Sequence, residues 1–136
     1  MAFVVDASVT VSWAFPVESH PVANAALVGL SAERAHVPSS WWFEVRNSLL
    51  ANERRKRIGE ADVSAFLQDL RHLPILIDRD PDETTILTLA RQFRLTVDDA
   101  AYLELALRLG LPLASLDRDL CRAAAACGLT LLGETA

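Results

Sequence analysis

Apolar positions along the chain fall into two patterns. Short, nearly unbroken apolar runs alternate with longer stretches in which apolar residues recur every three or four places. The runs cover residues 3–6, 36–38, 74–77, 113–115 and 129–132. They read as strands, because a parallel sheet covered by helices leaves no wet face for polar residues to occupy. The longer stretches carry helix signals. Ser39 or Ser40 can cap a helix running to about residue 57, with Gly59 just past its end, and another helix spans about 60–72. Helices at about 82–93 and 96–109 follow, the second opened by Thr96 and closed by Gly110. Asp117 can cap a last helix that ends near Gly128. Near the start, Ser8 can cap a short helix ending before Pro16, and residues 20–30 form a further candidate. Strands alternating with helices predict one α/β domain over residues 1–136, with a parallel sheet covered on both faces.

One carboxylate interrupts the first run: Asp6, in "MAFVVDASVTVSWAF". A buried, unpaired charge costs several kcal/mol or is forced neutral. Asp6 is therefore at an edge, satisfied by partners, or holding a cation. It ends the first strand, and ligands of open α/β sheets bind outside the carboxyl ends of the strands. Hydrogen bonds from the next helix start are the alternative, and the apolar setting argues against them.

Other carboxylates reach the same edge. Glu44 sits in the opening turns of the helix after the second strand, on a stripe with Trp41, Ser48 and Ala51, and Asn47 is one turn on. Asp98 and Asp99 open a helix that must run antiparallel to the fourth strand, because the connection between them is short. Asp117 and Asp119 follow that strand directly in "LASLDRDL". Each has a plainer role available: capping box for Asp99, helix dipole for Asp98 and Asp119, N-cap for Asp117. Together they would repel one another, and a divalent cation relieves that repulsion. Oxygen-only ligands suit Mg²⁺ or Mn²⁺. His20, His36 and His72 are scattered and the cysteines lack zinc spacing, which argues against zinc. "DRDPDE" at 78–83 is also acidic and reads as a solvated loop and cap.

Composition narrows the picture. Hydrophobic residues make up 51%, enough for a filled core. The net charge of −5 argues against coating nucleic acid through bulk charge. Lys56 is the sole lysine, so local phosphate contacts would fall to arginine. Candidates are Arg54 and Arg55 in "ERRKR", and Arg118 and Arg122 beside the last aspartates. Trp41 and Trp42 read as core, a protein-contact surface or base-stacking groups. Cys121 and Cys127 fall on opposite sides of one helix, too far apart to bridge, and read as small apolar residues in a reducing compartment. No run approaches a membrane span and no leader is evident, so a cytoplasmic protein is expected.

The sequence resembles the PIN-domain ribonucleases, and within them the VapC-like toxins of toxin–antitoxin pairs. "VVDASV" resembles the family's first strand and metal-binding Asp, here Asp6; "VPSSWWFEVRNSLL" resembles the segment with its Glu, here Glu44, followed by Asn47. "LTVDDAAYLELALRLGLPLASLDRDL" resembles the third and fourth acidic positions, here Asp99 and Asp117. Asp98 stands where family members often carry Tyr. Ser8 and Ser115 occupy positions where the family tends to carry small hydroxyl residues, and Asp119 is an extra candidate for a second ion. The resemblance implies a three-layer fold with a five-stranded parallel sheet of order 3-2-1-4-5. It also implies one or two Mg²⁺ or Mn²⁺ ions and cleavage of single-stranded RNA. Its other implications are a VapB-like antitoxin partner and a homodimer. An aspartate-based phosphohydrolase is a second reading, weakened by the lack of a suitably placed lysine. A non-catalytic PIN-like binding module is a third, weakened because all four acidic positions are present.

Overall fold

A computed structural model describes residues 1–18 and 20–133. Its sheet has four parallel strands: β1 (Phe3–Val5), β2 (Ala35–Pro38), β3 (Ile75–Asp78) and β4 (Leu113–Ala114). Their order is β3-β2-β1-β4. Helices α1 (Ala7–Ser12) and α2 (Pro21–Gly29) link β1 to β2; α3 (Ser40–Arg54) and α4 (Glu60–Arg71) link β2 to β3. Helices α5 (Glu83–Phe93) and α6 (Val97–Leu109) link β3 to β4, and α7 (Arg118–Ala126) follows.

The central strand is buried throughout, as its unbroken Phe3-Val4-Val5 run requires. It pairs with β2 through Phe3↔Ala35 and Val4↔His36, and with β4 through Val4↔Leu113 and Val5↔Ala114. From β1 the chain winds outward to β2 and β3, then crosses back to lay β4 on the other side. Strands β1 and β4 are therefore neighbours whose connections depart in opposite directions, and between their carboxyl ends such a sheet opens a crevice. Helix α6 packs over β1, β2 and β4. Its Tyr102–Ala106 run is wholly buried. Gly110 closes α6 in the left-handed conformation (φ 65°), which turns the chain into Pro112 and β4.

The expected fifth strand is reduced to one parallel bridge, Leu113↔Leu131. Gly128 and Gly133, at φ 80° and 81°, turn the chain at both ends and leave only four residues to lie along β4. Two expected helix boundaries also shift. Ser8 does not cap α1; Asp6 does, because the helix begins directly as β1 ends. Gly59 does not close α3; it is the N-cap of α4, its N–H donating to the Asp62 carboxylate, and the chain has already turned at Lys56 (φ 61°). No described helix is long and apolar enough to cross a membrane.

Candidate metal centre

Asp6 leaves the end of β1 4% exposed. Its carboxylate is not alone there. Ser8 Oγ (2.6 Å) and the Val9 amide (3.0 Å) donate to Oδ1, and Ser115 Oγ donates to Oδ2. The helix-start amide that the apolar setting argued against is thus one of its partners. Its backbone carbonyl accepts from Thr10 Oγ1, which in turn accepts from the indole N–H of buried Trp41. Trp41 is therefore core and is not placed to stack on a base. Ser8 Oγ accepts from the Leu116 amide and Ser115 Oγ from the Asp117 amide, so the two serines stitch the ends of β1 and β4 across the crevice.

Glu44 is half-buried on the second turn of α3. Its Oε1 accepts from Tyr102 Oη at 2.9 Å. Asp99 lies in the first turn of α6, which Thr96 caps by accepting from the Asp99 amide. Asp117 caps α7, its Oδ1 accepting from the Leu120 amide. The carboxyls of Asp6, Glu44 and Asp99 are held above the usual carboxylate range. For Asp6 burial is the main cause and Asp99 adds repulsion, against the opposing hydrogen bonds from Ser115, Ser8 and Val9. Glu44 is raised first by burial, then by Asp98 and Asp99, with Tyr102 pulling the other way; the nearby Ser40 hydroxyl, without a hydrogen bond of good geometry, pulls weakly with Tyr102. Asp99 is raised by burial and then by Asp117, Asp98 and Asp119. None of the groups that act most strongly on these three carboxyls is a cation. The Tyr102 phenol, between Glu44 and Asp6, is pushed well above its ordinary range by burial and by both carboxylates.

Asp99 is the hub of this set, since it acts on Asp6 and Glu44 and feels Asp117. Asp98 is exposed and about 100° round the helix from it. Asp119 is exposed and ion-paired with Arg122 at 3.3 Å. Asn47 is exposed and makes no hydrogen bond among the described residues. Arg118 is exposed at the start of α7, close in the chain to Asp117. Arg54 and Arg55 end α3, about 15 Å along its axis from Glu44 and away from the carboxyl edge.

Among the described residues no three His, Cys, Asp or Glu side chains converge on one point at ligand distance. The carboxylates of Asp6, Glu44 and Asp117 are instead turned onto hydroxyls or amides of the protein. The donor chemistry still fits a hard dication: the groups are all oxygen, they crowd and repel, and among the described residues no basic side chain is ion-paired with them. To hold one, Asp6, Glu44 and Asp117 would have to turn away from their present donors; Asp99 is the fourth candidate.

Sequence reasoning missed Tyr102. The signal was present: it lies three residues after Asp99 and so on nearly the same helix face. It also missed the end of β3. There Asp78 and the buried Glu104 of α6 share Arg108, which donates to Asp78 (2.7 Å) and Glu104 (2.6 Å). Asp78 is not a free loop carboxylate.

A family model for the PIN domain matches residues 3–126. The chain belongs to the PIN-domain family, whose fold is generally that of a metal-dependent nuclease. Among solved structures it is similar to the crystal structure of PAE2754 from Pyrobaculum aerophilum, at 25% identity and a TM-score of 0.69, covering 90% of this chain and 87% of that one. No curated protein matches it.

Proposed function

We propose that this protein is an endoribonuclease that hydrolyses single-stranded RNA in the cytoplasm with Mg²⁺ or Mn²⁺, and that it is the toxin of a toxin–antitoxin pair. One observation carries the catalytic reading. Carboxyls from three separate segments crowd the β1–β4 crevice, and burial and mutual repulsion raise them with no ion pair among the described residues to offset it. Asp6, Asp99, Glu44 and Asp117 would hold one or two ions. When bound, such an ion supplies Lewis acidity at the phosphate and lowers the pKa of water. Ser8 and Ser115 fix the orientation of Asp6, and Tyr102 fixes that of Glu44. Asp119 stands beside the set as a further oxygen donor for a second ion. Arg118 and Arg122 are near enough to meet RNA phosphates; Arg54 and Arg55 would meet the chain only farther along.

The toxin reading rests on the resemblance to VapC-like proteins and on the surface of α3. Trp42 (43% exposed) and Phe43 (65% exposed) lie together there, and Arg46 stacks on Trp42 with its guanidinium 4.1 Å from the ring centroid. A groove of about 410 Å³ continues from Trp42 to Leu67, Leu73 and Ile75. Apolar surface of this kind marks a protein-contact site, which fits a VapB-like antitoxin or a second copy of the chain.

The test is purified protein with Mn²⁺ and labelled single-stranded RNA. Cleavage that chelation stops and Asp6→Asn abolishes, in a variant with unchanged circular dichroism, supports the nuclease. Formation of an acid-labile acyl phosphate instead would favour the phosphohydrolase. Inhibition by a small protein encoded beside this chain would support the toxin role, and the lack of any such inhibitor would remove that role.

A further inference from the structure

Asp6 is held twice, once through its carboxylate and once through its backbone. Ser8, Val9 and Ser115 fix the carboxylate. The Asp6 carbonyl accepts from the Thr10 amide at 3.2 Å and from Thr10 Oγ1 at 2.9 Å. A threonine hydroxyl in a helix often bonds back four residues in this way. The next link is not local. The Trp41 indole N–H, from α3, donates to the same hydroxyl at 2.9 Å. Asp6, Thr10 and Trp41 are all buried, so the chain of bonds runs away from solvent.

Trp41 and Glu44 are three residues apart, so they share a face of α3, about 4.5 Å apart along its axis. Tyr102 anchors Glu44 to α6. Trp41 anchors the same opening turns of α3 to α1, against which α3 packs. Among the described residues these are the two side-chain hydrogen bonds by which α3 reaches other helices. The Trp41 bond ties the element that carries Glu44 to the segment that carries Asp6. Packing alone does not call for it. A phenylalanine ring would cover this core with no polar atom to satisfy, whereas a buried indole N–H needs a partner. Linked hydrogen bonds in a dry interior also reinforce one another and specify one geometry.

We propose that Thr10 and Trp41 are positioning residues of the metal centre, which set the separation of Asp6 from Glu44 through the chain from indole to hydroxyl to carbonyl. Neither touches ion or substrate. The inference rests on the metal-dependent reading of the site, and it gives a role in that site to two residues without a carboxylate.

The experiment is isothermal titration of Mn²⁺ into the whole protein. Thr10→Val nearly keeps the side-chain volume and removes the hydroxyl; Trp41→Phe keeps an aromatic ring and removes the donor. Each is expected to weaken Mn²⁺ binding about tenfold, the low end for losing an outer partner of a metal ligand, because neither residue bonds a carboxylate oxygen. Thr10→Ser keeps the hydroxyl and binds as the parent does. Arg108→Met, destabilised at the other carboxylate pair, also keeps the parent's affinity, which separates positioning from stability. In the metal-free protein, ¹H–¹⁵N spectra should show the Trp41 indole proton protected from exchange in the parent and in Thr10→Ser, and exchanging faster in Thr10→Val. Folded Thr10→Val or Trp41→Phe protein that binds Mn²⁺ as the parent does overturns the inference alone. An equal loss of affinity in Arg108→Met also overturns it, by reducing the effect to general destabilisation. A parent that binds no Mn²⁺ overturns the metal centre and the inference with it.

Discussion

Two groups of carboxylates share one edge of this sheet and behave in opposite ways. At the β1–β4 crevice Asp6, Glu44 and Asp99 crowd together without a cation, and all three are pushed up in pKa. At the end of β3, Asp78 and Glu104 grip Arg108. The shared guanidinium holds Asp78 below the usual carboxylate range, and Arg108 itself is raised. The difference is one basic side chain. A carboxylate pair supplied with its own cation is a structural clamp; a carboxylate cluster without one is unfinished until a cation arrives from solution.

Breaking the uncompensated cluster has the largest expected effect. Asp99→Asn removes the hub, and cleavage should fall by more than the ~10–100-fold typical of losing only a supporting partner of a metal ligand. The same change relieves repulsion, so the metal-free variant should melt no lower than the parent by differential scanning calorimetry. A loss of melting temperature alongside the loss of activity would contradict the comparison.

Removing the cation from the clamp comes next. Arg108→Met strands Glu104, which is 2% exposed, and should cost about 3 kcal/mol in chemical denaturation, the low end for a broken buried pair because Arg108 is itself partly exposed. Glu104→Gln in the same background should recover part of that loss. If Arg108→Met is neutral, the clamp does not hold β3 to α6.

The third prediction concerns pH and metal. Asp6, Glu44 and Asp99 have folded-state pKa values above their unfolded ones, so their protons favour the folded state. That stabilisation is complete in acid and is lost as pH rises through the raised values. Asp78 has the opposite sign: its contribution is present above its ordinary pKa and lost as pH falls. The metal-free protein should therefore lose melting temperature as pH rises from mildly acid toward neutral. Mg²⁺ or Mn²⁺ should restore it at neutral pH, by about 2.7 kcal/mol at a hundredfold excess over Kd. The restoration should fade in acid, where protons already occupy the cluster.

The smallest effect is expected at Tyr102. Tyr102→Phe removes the donor to Glu44 and should cost about 1 kcal/mol of stability. Glu44 then titrates higher still, which moves the acid limb of the pH–rate profile upward. A profile that does not move would reduce Tyr102 to packing.

Most elements were legible because their signals are local. Asp82, Thr96 and Asp117 each cap a helix as their position suggested, and Gly110 closes α6. The Phe3-Val4-Val5 run read as a buried strand and is one. Asp6 drew notice as a carboxylate in an apolar run at a strand end, and Asp99 as one at the start of a helix that begins at the same edge. Signals that depend on pairing were harder. Residues 129–132 have the composition of a strand, yet two left-handed glycines leave them one bridge. Ser8 has the chemistry of a cap, but the lack of any loop after β1 hands that role to Asp6.

The sequence by itself determined where strands and helices fall and which carboxylates sit at strand ends and helix starts, because periodicity, capping and turn chemistry act within a few residues. Only the tertiary structure decided who neutralises whom. Tyr102 meets Glu44 across 58 positions, Ser115 meets Asp6 across 109, and Arg108 reaches Asp78 across 30. Charge balance depends on distance in space, and chain order does not encode it. The fold supplied the acids of β3 and α6 with an arginine and left those of the β1–β4 crevice without one.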